Sequence, residues 1–172
     1  MQAIVVYSSC TGNTQKIATH IFTAIPGDSK DMQRIDEYTG KDADVFFVGF
    51  WTDKGDCDSR VAALLTGLHG RKIALFGTCG MGTSEEYYGR IEERVRQWLP
   101  ADNRYIGAFF CQGKMPMQVR KRYERMLGSG ENTAFLQSMI RNFDEALLHP
   151  DREDEEAAED FARNVMAQSE RL

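Results

Sequence analysis

A loop rich in hydroxyl side chains follows the first apolar run of the chain. That run, Ala3 to Tyr7, reads AIVVY, and the residues between it and an amphipathic segment include Ser9, Cys10, Thr11, Gly12, Asn13 and Thr14. Between a strand and a helix, such a loop gathers unpaired backbone N–H groups at the positive end of the helix, the hydroxyls add donors, and the glycine permits close approach. The loop has no lysine or arginine and lacks the P-loop spacing. It therefore predicts a site for a phosphate monoester held by neutral donors, with a simple capping loop as the alternative.

The elements that must position this loop can be predicted from four apolar runs. None of them alternates apolar with polar residues, which is typical of strands covered on both faces, and they span residues 3–7, 45–50, 73–77 and 105–110. A weak strand is expected over 32–36, and segments with helical spacing separate the runs; Asp58 and Thr83 are the predicted N-caps of two of these helices. The pattern predicts an open, doubly wound α/β sheet. Ligands of such sheets bind beyond the carboxyl ends of the strands, in loops that here span residues 8–14, 51–58 and 78–83.

The first of these loops carries a family resemblance. Ser9-x-Thr11-Gly12-Asn13-Thr14 after the first strand resembles the FMN phosphate loop of the flavodoxins, T/S-x-T-G-x-T, and the resemblance extends over roughly residues 1–111. It implies a five-stranded parallel sheet in the order 2-1-3-4-5, here with extra C-terminal helices, and FMN as the cofactor. No catalytic side chain and no metal site are predicted. The residues that the resemblance assigns to FMN are Ser9, Cys10, Thr11, Gly12, Asn13, Thr14, Trp51, Thr52, Asp53, Gly55, Thr78, Cys79, Gly80, Met81 and Gly82.

Within that set, the resemblance gives Trp51 the role of stacking on the isoalloxazine ring and the 78–83 loop that of supplying N–H groups to the pyrimidine edge. An exposed tryptophan at the end of a buried strand is costly unless it stacks on something, and glycines let a backbone approach a planar ring; packing against the sheet edge is the alternative for Trp51. No aromatic residue stands in the 78–83 loop where many flavodoxins have a second stacking tyrosine. The second face of the ring is therefore predicted to be open or covered by Met81.

Acidic residues surround the proposed ring. Asp53, Asp56 and Asp58 would disfavour additional negative charge there and lower the potential of the last reduction step. The alternative is that they are ordinary turn and capping residues.

Other segments carry a closer resemblance. The chain is similar to flavodoxin-like proteins encoded beside bacterial bilirubin reductases in the segment 50–55 (FWTDKG), in the motif Cys111 to Met117 (CQGKMPM) and in the trailing helices that end near 149–151. This implies delivery of electrons or flavin to a partner reductase in anaerobic tetrapyrrole reduction. We therefore favour an FMN-binding electron carrier. One alternative is an FMN-dependent oxidoreductase that acts directly on a quinone or tetrapyrrole. The other is a flavin-free interaction module. The sequence also leaves open whether the protein forms a homodimer.

The cysteines offer a competing chemistry. Cys10 follows a strand and precedes a helix, as in low-molecular-weight tyrosine phosphatases, but Lys16 stands where the Cys-x5-Arg motif needs arginine, and the chain has no Asp-Pro pair. Phosphatase activity is therefore disfavoured. The three other cysteines follow or end strands near the proposed flavin, where small apolar packing is the expected role and thiol redox chemistry is the alternative; they are Cys57, Cys79 and Cys111.

Charge divides the 172 residues unequally. The net charge is −5, and residues 149–172 contain eight acids against three bases, so the remainder is neutral. A neutral body disfavours general nucleic-acid binding. We predict a flavodoxin-like domain over 1–148 and an acidic helical extension over 149–172. The acids of this extension and the basic segment 114–125 could pair with each other or face different partners.

The lack of an apolar membrane span and of a positive N-terminal region predicts a cytoplasmic protein with no membrane partner.

Overall fold

The computed structural model describes residues 1–172. Its centre is a parallel sheet of five strands with the spatial order β2-β1-β3-β4-β5. The strands are β1 Ala3–Tyr7, β2 Lys30–Arg34, β3 Val45–Trp51, β4 Lys72–Cys79 and β5 Arg104–Gln112. The predicted doubly wound α/β fold and its strand order are confirmed.

Six α-helices connect and follow the strands. They are α1 Asn13–Ala24, α2 Ser59–Gly67, α3 Glu85–Arg96, α4 Met117–Leu127, α5 Thr133–Ala146 and α6 Arg152–Glu170. Asp58 caps α2 as predicted, because its carboxylate accepts from the backbone N–H groups of Arg60 and Val61. The cap of α3 is Ser84 rather than the predicted Thr83, since the Ser84 hydroxyl accepts from Tyr87 N. None of the six helices combines the length and the apolar character needed to cross a bilayer.

The prediction of β2 was wrong by two residues. The strand ends at Arg34 because residues 35–37 turn into a short 3-10 helix, where Ile35 packs against the core. The strand itself is polar and only partly covered, so its hydrophobic pattern gives little information about its limits.

The core forms two layers, one on each face of the sheet. Large apolar side chains of the central strands alternate between the faces: Val5 and Phe47 pack toward α1 and α6, whereas Val6 and Phe46 pack toward α2 and α3. Burial on both faces explains why these strands read as continuous apolar runs.

Helix α6 packs against α1 and β5. Its acids pair with α1: Lys16 Nζ lies 2.5 Å from Glu155 Oε1, and His20 Nδ1 lies 2.9 Å from Glu159 Oε1. The acidic helix thus does not neutralise the basic segment 114–125. The predicted division at residue 148 stays a prediction.

Candidate functional site

A cleft opens at the carboxyl ends of β1, β3, β4 and β5. The side chains and backbone that line it come from three predicted loops and from one segment that was not predicted; they are Cys10, Thr11, Asn13, Trp51, Thr52, Thr78, Cys79, Gly80, Gly113, Lys114, Met115 and Pro116. The fold thus brings parts of all three predicted loops to one site. Seven of the predicted residues lie outside this lining: Ser9, Gly12, Thr14, Asp53, Gly55, Met81 and Gly82.

The loop before α1 presents free backbone donors. Gly12 caps the helix with φ +92°, in the left-handed region, and the Ser9 hydroxyl accepts from the amides of Gly12 at 3.2 Å and Gln15 at 3.3 Å. The amides of Thr11, Asn13 and Thr14 donate to no protein acceptor. The first turn of α1 contains no acidic residue. The geometry therefore forms a neutral donor cradle at the positive end of a helix, which is suited to an anion.

Asn13 connects this cradle to the far side of the cleft. Its Nδ2 donates to Thr11 Oγ1 at 3.0 Å and to the carbonyl oxygen of Lys114 at 2.9 Å, while its Oδ1 is buried without a hydrogen-bond partner. Buried polar atoms in folded proteins are nearly always paired. The unpaired oxygen is thus an acceptor for which the chain itself supplies no donor.

Two hydroxyl contacts hold the loops together. The hydroxyls of Thr14 and Thr78 lie 2.8 Å apart and are both buried, so the start of α1 is fixed to the end of β4. Thr52 N donates to Thr78 O at 3.0 Å, and the Thr52 hydroxyl lies 2.9 Å from Cys79 Sγ. The Thr14 side chain therefore supports the site from behind instead of lining it.

The loop after β3 is a tight turn. Trp51 ends β3 in register with Thr78 and is partly exposed to the cleft. Asp53 and Asp56 exchange backbone hydrogen bonds of 2.9 and 3.0 Å, and both residues between them have positive φ, 51° at Lys54 and 82° at Gly55. This is the geometry of a type I′ turn.

The three aspartates of this loop have different environments. Asp56 accepts from Trp98 Nε1 at 3.2 Å and pairs with Arg94 at 3.6 Å. Burial acts to raise the pKa of Asp58, but hydrogen bonds from Ser8 and Arg60 lower that pKa below its usual value. Only the Asp53 side chain is exposed and without a partner. The turn and capping interpretation therefore accounts for the other two.

The loop after β4 is covered by a residue from beyond β5. A Cβ at Gly80 would lie 2.6 Å from Met115 Sδ, and one at Gly82 would lie 3.3 Å from the Tyr87 ring. Met81 is 48% exposed, and its sulfur accepts from the Tyr123 hydroxyl at 3.5 Å. The methionine that lines the cleft is thus Met115, a residue that was not assigned to the site from the sequence.

Gly113 to Pro116 form a wall of the cleft that was not predicted from the sequence. Gly113 N donates to Cys79 O at 3.0 Å, and Lys114 N donates to His149 O at 3.1 Å. The Lys114 side chain is exposed, makes no ion pair, and lies beside the α1 loop. The motif CQGKMPM was visible in the sequence, but nothing local in it reveals a hydrogen bond to residue 13. The fold therefore adds a cation to a loop that contains none.

The buried cysteines are fixed as neutral thiols. Burial raises the pKa of Cys79 to about 11 and that of Cys57 to about 12, and it also raises the pKa of Cys111. Only Cys10 is exposed. Packing is the role that this burial supports for the other three.

Comparison with known proteins agrees with this architecture. The flavodoxin domain model matches residues 4–163. The flavodoxin-like domain-containing protein BilS of Clostridioides difficile is 36% identical over 171 residues, which cover 96% of this chain and 97% of that protein.

Two solved structures share the fold. A Streptococcus pneumonia TIGR4 flavodoxin aligns with a TM-score of 0.59 and 16% identity over 98% of this chain and 99% of its own. A flavoprotein in complex with FMN from Lactobacillus acidophilus aligns with a TM-score of 0.50 and 16% identity, over 63% of this chain and 92% of its own. Sequence, strand order and family match agree, and the chain belongs to the flavodoxin domain family.

Proposed function

We propose that this protein binds FMN noncovalently and carries electrons to a partner protein. The observation that carries the proposal is the junction of a neutral donor cradle at the start of α1 with a cleft walled by Trp51 and the backbone of residues 78–80. One end of this site suits a phosphate group and the other suits a planar ring.

The phosphate end is formed by backbone groups. The free amides of Thr11, Asn13 and Thr14 would hold the phosphate oxygens, helped by the dipole of α1. Lys114 would add a positive charge beside them, and the unpaired Asn13 Oδ1 would accept from a hydroxyl of the ribityl chain. A flavin without phosphate would leave the cradle unused, so the arrangement favours FMN over riboflavin.

The ring end is formed by side-chain surfaces. Trp51 would stack on one side of the ring. Met115, from the segment after β5, would cover the ring in place of the predicted Met81. Residues 78–80 and Thr52 line the same space.

The cleft itself offers little acid–base chemistry. Its titratable side chains are Cys10, Cys79 and Lys114, and burial keeps Cys79 protonated. FMN, when bound, supplies one- and two-electron redox chemistry. The chain's own residues bind and orient it and limit water access, which supports a carrier over an enzyme with its own catalytic side chains.

A reductase is the partner we propose. The resemblance of residues 111–117 to flavodoxin-like proteins encoded beside bilirubin reductases supports a tetrapyrrole-reducing enzyme in this role. The 36% identity to the flavodoxin-like domain-containing protein BilS supports the flavodoxin-like assignment on which this partner rests.

The test begins with a titration of the purified apoprotein with FMN, followed by flavin absorbance and fluorescence. Binding at micromolar FMN is expected, and its absence would overturn the proposal. The loaded and reduced protein is then mixed anaerobically with a bilirubin reductase and bilirubin. A carrier is supported if bilirubin is lost faster in this mixture than with the reductase alone, and if none is lost with this protein alone. Bilirubin turnover by this protein alone would contradict a carrier.

A further inference from the structure

The outward face of α4 carries cations that no acid neutralises. Lys121, Arg122 and Arg125 are exposed and make no ion pair. Their spacing places them with Gln118 on one face of the helix, opposite the buried Tyr123. Arg120 differs, because it pairs with Asp144 at 2.9 Å and also with Glu124. The basic face of α4, defined as Gln118, Lys121, Arg122 and Arg125, thus keeps three free positive charges on a chain whose net charge is −5.

Exposed methionines border this basic face. Met117 lies one turn before Lys121 and is 50% exposed, and Met126 lies one turn after Arg122 and is 49% exposed. Methionine side chains are flexible and polarisable, and they adapt to the surface of a protein partner. Charge with adjacent apolar surface is a combination that specific protein interfaces use.

The basic face begins at the rim of the cleft. Pro116 lines the cleft and is also the N-cap of α4. At 1.5 Å rise per helical residue, Arg125 lies within about 15 Å of that rim along the helix axis. A protein that covers this face would therefore reach the mouth of the cleft.

We propose that the basic face of α4, with Met117 and Met126 at its borders, docks a protein partner that presents an acidic and partly apolar surface. The inference rests on the proposed function in one respect, because docking here brings a redox partner to the cofactor cleft. A protein is favoured over an anionic bilayer because the chain's net negative charge opposes adsorption. It is favoured over nucleic acid because the face has no aromatic side chain for base stacking.

The experiment uses the full chain and defined probes. A fluorescein-labelled helical peptide of glutamate and leucine is titrated at low salt and followed by anisotropy, beside the same peptide with glutamine in place of glutamate. The test variant is Lys121→Gln/Arg122→Gln/Arg125→Gln. The matched control, Arg90→Gln/Arg104→Gln/Arg171→Gln, removes the same charge from exposed positions on α3, at the start of β5 and after α6. Vesicles of phosphatidylserine and phosphatidylcholine and a single-stranded oligonucleotide complete the probe set.

The acidic peptide is expected to bind the wild-type and control proteins at least tenfold more tightly than the test variant, and the glutamine peptide to bind all three weakly. Equal affinity of the acidic peptide for the test and control variants would overturn the docking surface. Tighter binding of vesicles or oligonucleotide than of the peptide would overturn the protein partner. The same proteins are titrated with FMN, and all three should bind it equally. Failure of FMN to bind the wild type would overturn the proposed function instead, whatever the peptide does.

Discussion

The two sides of the cleft are built on different principles. The loop before α1 uses backbone amides and short hydroxyls that Gly12, Ser9 and the Thr14–Thr78 contact fix in place. The segment from Gly113 into α4 uses long side chains, such as Lys114 and Met115, on a backbone tied to Cys79 and His149. The first side therefore fixes the position of a ligand, whereas the second side adds charge and cover. Substitutions on the two sides should therefore differ in both size and kind of effect.

The largest effect should come from the ring end. Trp51→Ala is expected to weaken FMN binding by about 2 kcal/mol, or roughly thirtyfold, because an aromatic stack on a planar base contributes about 1–3 kcal/mol. Tyr88→Ala is the control, since Tyr88 stacks on Phe110 at 5.5 Å between ring centroids and does not line the cleft. Fluorescence titration measures the FMN affinity of both variants. An equal loss of affinity in the two variants would contradict a stacking role for Trp51.

The contact between the two sides can be broken at Gly113. A Cβ there would lie 2.6 Å from Asn13 Nδ2 and 2.9 Å from Asn13 Cγ. Overpacking of this kind costs about 1–3 kcal/mol, and we expect Gly113→Ala to lose about 1.5 kcal/mol of unfolding free energy in urea.

Gly89→Ala is the matched control for that substitution. Gly89 lies inside α3 with open space around its Cβ position, so alanine should stabilise the protein by about 0.5–1 kcal/mol. Stabilisation by both substitutions would show that the wall at 113 is not fixed against Asn13.

A smaller effect is expected at Lys114. Lys114→Gln should weaken FMN binding by about fivefold, or about 1 kcal/mol, because it removes one exposed charge beside the phosphate cradle. Riboflavin binding should not change, and the difference should shrink as salt is added. Equal weakening of both flavins would show that Lys114 acts through structure and not through charge on phosphate.

The smallest effect belongs to Asp53. It is the one exposed and unpartnered carboxylate of the 51–58 loop, and Asp53→Asn should raise the potential of the bound flavin by at most about 40 mV, equivalent to about 1 kcal/mol for one electron. Asp56→Asn serves as a comparison, since Arg94 and Trp98 already occupy that carboxylate. A spectroelectrochemical titration in which Asp53→Asn leaves the potential unchanged or lowers it would contradict this assignment.

The same contrast explains what could be predicted from the sequence. The β strands covered on both faces and the donor loop before α1 depend on local patterns, namely apolar runs and a short motif, so these strands and much of the cleft could be predicted. The strand order followed from the family resemblance that the motif carries. The limits of β2 could not, because that strand is polar and only partly covered.

The wall formed by Gly113 to Pro116 also escaped prediction. Its position depends on contacts to Asn13, Cys79 and His149, which are distant in sequence. The role of the acidic helix was equally non-local: α6 pairs with Lys16 and His20 of α1, and this pairing leaves the basic face of α4 free.

The central claim is that the cradle before α1 holds the phosphate of FMN, and calorimetric titration of the apoprotein with FMN and then with riboflavin tests it most directly. The account predicts that FMN binds at least tenfold more tightly than riboflavin and that inorganic phosphate competes with FMN. Equal affinity for the two flavins, with no competition by phosphate, would contradict it.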